Sequence, residues 1–242
     1  MKLWMMVCLA SLQFTGVPGS TGPANGHSKF DAHRLKRGTF SYRDGQDKGD
    51  IGQSKITVEQ IPDVNTYSFS TVVSGKFSQR WRVVTTSGFG PISGNLSFGE
   101  GSRTPAFDLN YVAGQVTGFV VDQKGPTGGT KRRVKDAVPR GIVDQRLDWA
   151  AVTVSNLKAG GAFEFDVYDP SSGISHVEVH IGEVQSLALS AGDFETFPVI
   201  YEIKKRTASD RDRVFVTKEE PRILVREEFP NGTQSDLASI AP

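Results

Sequence analysis

Cysteine is almost absent from this chain. The one thiol, Cys8, lies in the first apolar stretch of the 242 residues, so a chain trimmed of that stretch has neither disulfides nor a cysteine nucleophile. Histidine is nearly as scarce, at 4 residues, which leaves little material for a metal centre or a general base. No sign of charge prevails: 28 Lys and Arg face 27 Asp and Glu, a formal net charge of +1. That balance gives no electrostatic footprint for nucleic acid and no polybasic membrane anchor. Long hydrophobic runs are missing as well. The longest, from Leu3 to Phe14, falls short of the about 20 residues that a bilayer-spanning helix needs.

That run is informative in another way. Met1-Lys2 supplies a positive start, the apolar segment follows, and Gly16, Pro18, Gly19, Ser20 and Ala24 supply small residues and turn-formers. Residues 1–24 are therefore expected to be a secretory signal peptide, cleaved between Gly19 and Ala24, with a disordered apolar tail as the alternative. Cys8 has too short an apolar run before it for a lipoprotein signal. No transmembrane span is expected once the signal is removed. An exported domain without bridges points to a bacterial periplasm or cell envelope.

What the sequence has in quantity is turn residues and alternation. Glycine numbers 26 and proline 12, and apolar residues make up 37%, the profile of sheets with one wet face. After a polar stretch at 25–37, read as a flexible lead-in, strand signals recur about every ten residues. They fall at Thr39–Tyr42, Ser54–Glu59, Tyr67–Val72, Phe77–Val83, Leu96–Phe98, Phe107–Tyr111 and Val116–Val121. Phe77, Trp81 and Val83 face one way while Arg80 and Arg82 face the other. Further strands are expected at Phe163–Tyr168 and over Ile174–Leu189, the latter broken near Gly182. A closing meander then runs from Phe197 to Phe229, with Asn231-Gly232 suited to a final hairpin turn. Phe197, Val199, Tyr201 and Ile203 share one parity.

One segment departs from period two. Val143, Leu147, Ala150, Val154 and Leu157 lie at offsets of 4, 7, 11 and 14, one face of an α-helix. Gly160-Gly161 would cap it, and Asp144 and Asp148 suit its positive start. The β-branched Val152-Thr153-Val154 leaves a strand as the competing reading. The fold class expected is mainly β, a single curved antiparallel sheet or open β-barrel with one amphipathic helix over about 142–157. One domain would occupy 38–238.

Candidate chemistry is thin. His176, Glu178 and His180 would project from one strand face about 7 Å apart, a weak candidate for a metal site. Two histidines and one carboxylate do not specify one, so a solvated polar face is preferred. Glu164 and Asp166 form a carboxylate pair without the sugar-binding cleft that would give it glycosidase meaning. Gly125–Arg132 resembles a phosphate loop, but Thr130 and Arg132 occupy the places that need Gly and Ser or Thr, so a hairpin loop is expected. Lys131–Lys135 reads as a short solvated cationic loop partly offset by Asp136, with contact to anionic lipid headgroups or a polyanion as the alternative. Asn95-Leu96-Ser97 and Asn231-Gly232-Thr233 are glycosylation sequons, meaningful only in a glycosylating host. No Gly-x-Ser-x-Gly elbow is present, no catalytic residue is assigned, and no cofactor is expected.

The C-terminal part resembles the bacterial exported proteins grouped as the domain of unknown function DUF3108. The features are Ala191–Phe197 leading into Val199–Ile203, the strand Val214–Thr217, and Glu220-Pro221-Arg222 before a charge-alternating strand. The likeness is strongest over Phe163–Leu237 and general over the first half. It implies a signal peptide, a mature domain near this length, and no established catalytic residues. It also implies a curved sheet or open barrel broadly similar to periplasmic lipid and lipoprotein carriers, with a greasy inward face. On that basis the chain is expected to be a noncatalytic envelope protein that takes a lipid or other amphipathic ligand. Phe163, Phe165, Phe197, Val199, Tyr201, Leu147 and Trp149, with Ala150, would line the hollow or else fill a dry core. An assembly module gripping another envelope protein is the alternative, an unrecognised hydrolase the third, and no nucleic-acid partner is expected.

Overall fold

The computed structural model describes residues 29–46, 49–62, 65–75, 78–99, 106–122, 129–205 and 209–241. The expected signal peptide, with Cys8, and His27, Phe77 and residues 125–128 of the glycine-rich loop lie outside them. Eight strands come first: β1 (Gly38–Gln46), β2 (Gly49–Ile61), β3 (Thr66–Gly75), β4 (Gln79–Thr86), β5 (Pro91–Phe98), β6 (Ala106–Val112), β7 (Gln115–Asp122) and β8 (Thr130–Ala137). A two-residue strand β9 (Val143–Asp144), a 3-10 turn and helix α1 (Asp148–Val154) follow. The chain ends in β10 (Ala162–Asp169), β11 (Gly173–Ile181), β12 (Gln185–Leu189), β13 (Gly192–Lys204), β14 (Ser209–Thr217), β15 (Leu224–Glu228) and β16 (Gln234–Ala241).

All of them form one sheet, and each strand of the first eight pairs with its sequence neighbour. The two halves meet where β1 pairs with β16, with Phe40 opposite Ile240 and Tyr42 opposite Leu237. The order then runs back through β15, β14 and β13 to β11, β10 and β9. Every ladder is antiparallel except the short β9–β10 pairing. β12 and β11 lie end to end along the same side of β13, β12 against its first half and β11 against its second. The break expected near Gly182 falls where the Gly182 amide donates to the Pro198 carbonyl at 2.8 Å. A Cβ on Gly182 would stand 2.9 Å from the Pro198 ring, so the close approach needs glycine there.

The sheet is curved but not closed, because β8 and β9 share no ladder. Side chains bridge the gap instead. Tyr168 Oη donates to Asp136 Oδ2 at 2.6 Å, and Arg132 Nη2 donates to the Pro170 carbonyl at 2.7 Å. Val167 belongs to the main core and its neighbour Tyr168 to a second one with Phe107, Leu109, Val116, Val120 and Val134. Successive strand residues point to opposite faces, so the end of β10 is covered on both sides. The sheet is rolled until the strands of β6–β8 overlap it.

Three local expectations change. The helix spans seven residues rather than 142–157, and Trp149 to Val154 are all buried, so it is sunk in the core instead of lying on it by one face. Val143-Asp144 is drawn into parallel pairing with Val167-Tyr168. At the other end Ser155 turns extended (φ −72, ψ 170), and Arg222 Nη1 donates to the Thr153 and Ser155 carbonyls at 3.1 and 2.5 Å. A buried guanidinium thus satisfies the helix end that Gly160-Gly161 was expected to cap. The basic run Lys131–Lys135 is not a loop; it is strand β8. The lead-in is packed from Phe30 onward: its ring meets Phe165 edge-on at 5.4 Å, and Ala32 and Leu35 are buried. Three apolar residues among polar ones carry no periodicity, so only the packing reveals them.

Candidate functional site

Phe165, Phe197, Val199, Tyr201, Leu147, Trp149 and Ala150 all enter the main core cluster, and Phe163 packs against it, half-buried. Ladder pairing explains how. Val179 sits opposite both Phe163 on β10 and Tyr201 on β13, and Val177 opposite Phe165 and Ile203, which aligns the apolar parity of three strands. Leu147 and Trp149 descend onto this face from the start of α1, with Trp149 Nε1 donating to the Arg146 carbonyl at 3.1 Å. Phe163 stacks on Phe165 at 6.1 Å and forms the rim. Beside that rim lies a cleft of about 400 Å³ lined by Lys29, Phe163, Val179 and His180 among others.

The same concave face carries a polar region that the sequence reading missed. Tyr201 is opposite Asp212, Val214 opposite Glu227, Glu227 opposite Ser235, and Ser235 opposite Asp44. Cross-strand partners share a face, so acids of β14, β15 and β1 point inward with the apolar residues. Tyr201 Oη donates to Glu227 Oε1 at 3.2 Å, and Ser54 Oγ donates to Asp44 Oδ1 at 3.0 Å. Asp148, at the start of α1, is close enough to Glu227 and Tyr201 for its charge to act on both.

Burial dominates the acid–base behaviour of this region. It raises Glu227 to about 8, Asp148 to about 7 and Asp212 to about 6, and mutual repulsion among the three adds to the rise in Glu227. Tyr201 is pushed well above its ordinary value by burial and then by the neighbouring acids. Yet Asp148, Asp212 and Glu227 are each only half-buried. The three acids thus sit on the inner face and keep part of their solvent contact. The signal in the sequence was parity: Asp212 and Glu227 each stand two residues from a buried valine, Val214 and Val225.

A second polar cluster fastens the roll. Asp144, fully buried, lies 2.5 Å from Arg146 Nε and accepts from Tyr111 Oη at 2.7 Å, while Arg146 Nη1 reaches Asp169 at 2.7 Å. The guanidinium lies 4.3 Å above the Phe107 ring. A Cβ on Gly94 would come within 2.7 Å of the Asp144 carboxylate, so β5 can approach only as glycine. The cluster joins β5 and β6 to β9 and β10, with Arg146 Nη2 buried and, among the described residues, without a hydrogen-bond partner.

His176, Glu178 and His180 share the outer face of β11. His176 Nδ1 lies 2.9 Å from Asp166 Oδ1, and that hydrogen bond raises the imidazole above its ordinary value. Glu164 is 3.5 Å from the other ring nitrogen, and Lys204 pairs with Glu178 at 3.3 Å and Glu202 at 2.7 Å. Among the described residues no group of three or more His, Cys, Asp or Glu is arranged to hold a metal ion. His176 and Lys204 tie Glu164, Asp166, Glu178 and Glu202 into a cross-strand ionic lattice, and His180 stands exposed beside it.

The sequence profile of DUF3108, a protein family of unknown function, matches residues 38–237. The chain belongs to this family. No curated protein matches it. Among solved structures, the DUF3108 chain is similar to a β-barrel-like protein of domain of unknown function DUF1849 from Brucella abortus, with a TM-score of 0.54 at 10% identity over 86% of this chain and 98% of that one. A predicted exported protein with a YmcC-like fold from Bacteroides fragilis gives 0.39 at 10% identity, over 88% and 99%. A predicted lipoprotein from Parabacteroides distasonis gives 0.35 at 12% identity, over 88% and 99%. The first of these shows the β-barrel-like fold that the sequence implied. No helix among the described residues is long and apolar enough to cross a membrane.

Proposed function

We propose that this DUF3108 protein is a noncatalytic protein of the bacterial periplasm or cell envelope that holds an amphipathic molecule, such as a lipid, in the concavity of its rolled sheet. The observation that carries the reading is the two-part lining of one face. Phe163, Phe165, Phe197, Val199, Leu147 and Trp149 form an apolar wall, and the half-buried Asp148, Asp212 and Glu227 adjoin it through Tyr201. A ligand with an apolar body and a polar end meets both parts, as small-molecule sites generally do. Export is supported by the charged start, apolar run and small residues of the first 24 positions.

Native mass spectrometry of protein extracted gently from its own envelope tests this. The expected result is a co-purifying amphiphile, lost when Phe163 and Phe197 are replaced by Ala. A ligand-free preparation, together with an interior void below about 300 Å³, would overturn it. The assembly reading draws on β8, an edge strand with a ladder on one side only. A stable co-purifying protein that is lost when β8 is substituted would favour that reading.

A further inference from the structure

The net charge of +1 conceals a division of the outer surface. In β2–β8 the ladder partners assign Lys55, Arg80, Arg82, Lys131, Arg133 and Lys135 to the convex face. Lys55 lies opposite Val72, which lies opposite Arg80; Arg82 lies opposite Asn95, which lies opposite Asp108. Phe119 lies opposite both Asp108 and Arg133, and Val121 opposite Lys131. All six cations are exposed. Among side chains described on this face, the opposing charges are Glu59 and Asp108. Among the described residues, none of the six cations is in an ion pair. On the other half of the roll, Glu164, Asp166, Glu178 and Glu202 face outward and are held in the ionic lattice around His176 and Lys204.

We propose that the convex face of β2–β8 docks on an anionic phospholipid surface. The six strand-to-strand steps from β2 to β8 spread the cations over about 29 Å, and those on β8 stand about 7 Å apart. That spacing is within the Debye length of about 8 Å at physiological salt, so the β8 charges act together on one bilayer. Apolar side chains are interleaved with them: Val72 and Val112 are 39% and 68% exposed, and Lys131 Nζ sits 3.8 Å from the Phe119 ring centre. Lys and Arg for phosphates, with aliphatic residues between, is the composition of an interfacial contact. A nucleic acid would call instead for a groove with aromatic platforms. The proposal holds whether or not the interior carries a ligand.

The test is co-sedimentation of the full chain, after removal of residues 1–24, with vesicles of phosphatidylcholine containing about 30% phosphatidylglycerol. Binding is expected to these vesicles, to be absent from pure phosphatidylcholine, and to vanish in about 0.5 M salt. Each basic residue at such a surface contributes about 5-fold in affinity, so K131E/R133E/K135E should lose at least about 100-fold. K55E/R80E, on two other strands, serves if the edge triple does not fold. K158E/R211E/K218E carries the same charge change off this face and should bind as wild type. Equal loss in that control, no binding to anionic vesicles, or binding to heparin in preference to vesicles would each overturn the proposal.

Discussion

Replacing Glu227 with Gln should change how stability responds to pH. Glu227 faces Asp212 on β14, Tyr201 on β13, Asp148 on α1 and, across Ser235, Asp44 on β1. Burial and these acids hold its carboxyl at about 8, against an ordinary value of 4.5. The folded protein therefore keeps a proton that the unfolded chain releases, and stability must fall as pH rises between those values. Asp148, at about 7, and Asp212, at about 6, act in the same direction. The rise in Glu227 alone corresponds to about 4 to 5 kcal/mol, and water reaching the half-buried carboxyl leaves about 2 to 3 kcal/mol of it. Gln keeps an acceptor for the Tyr201 hydroxyl and carries no charge. In urea unfolding the variant should match wild type at pH 5 and exceed it by about 2 kcal/mol at pH 8.5, about 4–8 °C in Tm for a domain of this size. A uniform destabilisation at both pH values, or a wild type whose stability is flat from pH 5 to 8.5, would refute the reasoning.

Three further outcomes follow from the packing and the ion pairs. Arg146→Met leaves the fully buried Asp144 uncompensated and should cost about 3 to 5 kcal/mol in urea unfolding, with D144N added to it recovering most of the loss. Leu147→Ala, in the core, should cost about 2 to 5 kcal/mol, whereas Phe163→Ala, at the rim, should cost clearly less in the same assay and show its effect in ligand retention. By NMR titration His176 should lose its proton above 6.5, and Asp166→Asn should bring it back toward that value.

Much of the sheet was legible because period two is local. The parity of Phe197, Val199, Tyr201 and Ile203, the break at Gly182 and the turn at Asn231-Gly232 each depend on a few consecutive residues. The helix was less legible because residues far along the chain shorten it: Asp144, before its start, is drawn to Tyr111 and Tyr168, and Ser155, after its end, is held by the β-bridged Arg222. Lys131–Lys135 looked like a loop since its one buried residue, Val134, finds its core only across β7.

Alternation and turn chemistry act over neighbours, so the class of this protein, the inward parity of most strands and the buried apolar residues of the inner face could be read from local pattern. The sequence also carried the likeness to DUF3108 in the closing meander. That Asp148, Asp212 and Glu227 come together on the inner face, and that the cations of β2–β8 gather on one convex face, became visible with the strand order. Those groupings depend on which strand lies beside which, above all on the pairing of β1 with β16. Register between segments nearly two hundred residues apart leaves no mark in either one alone.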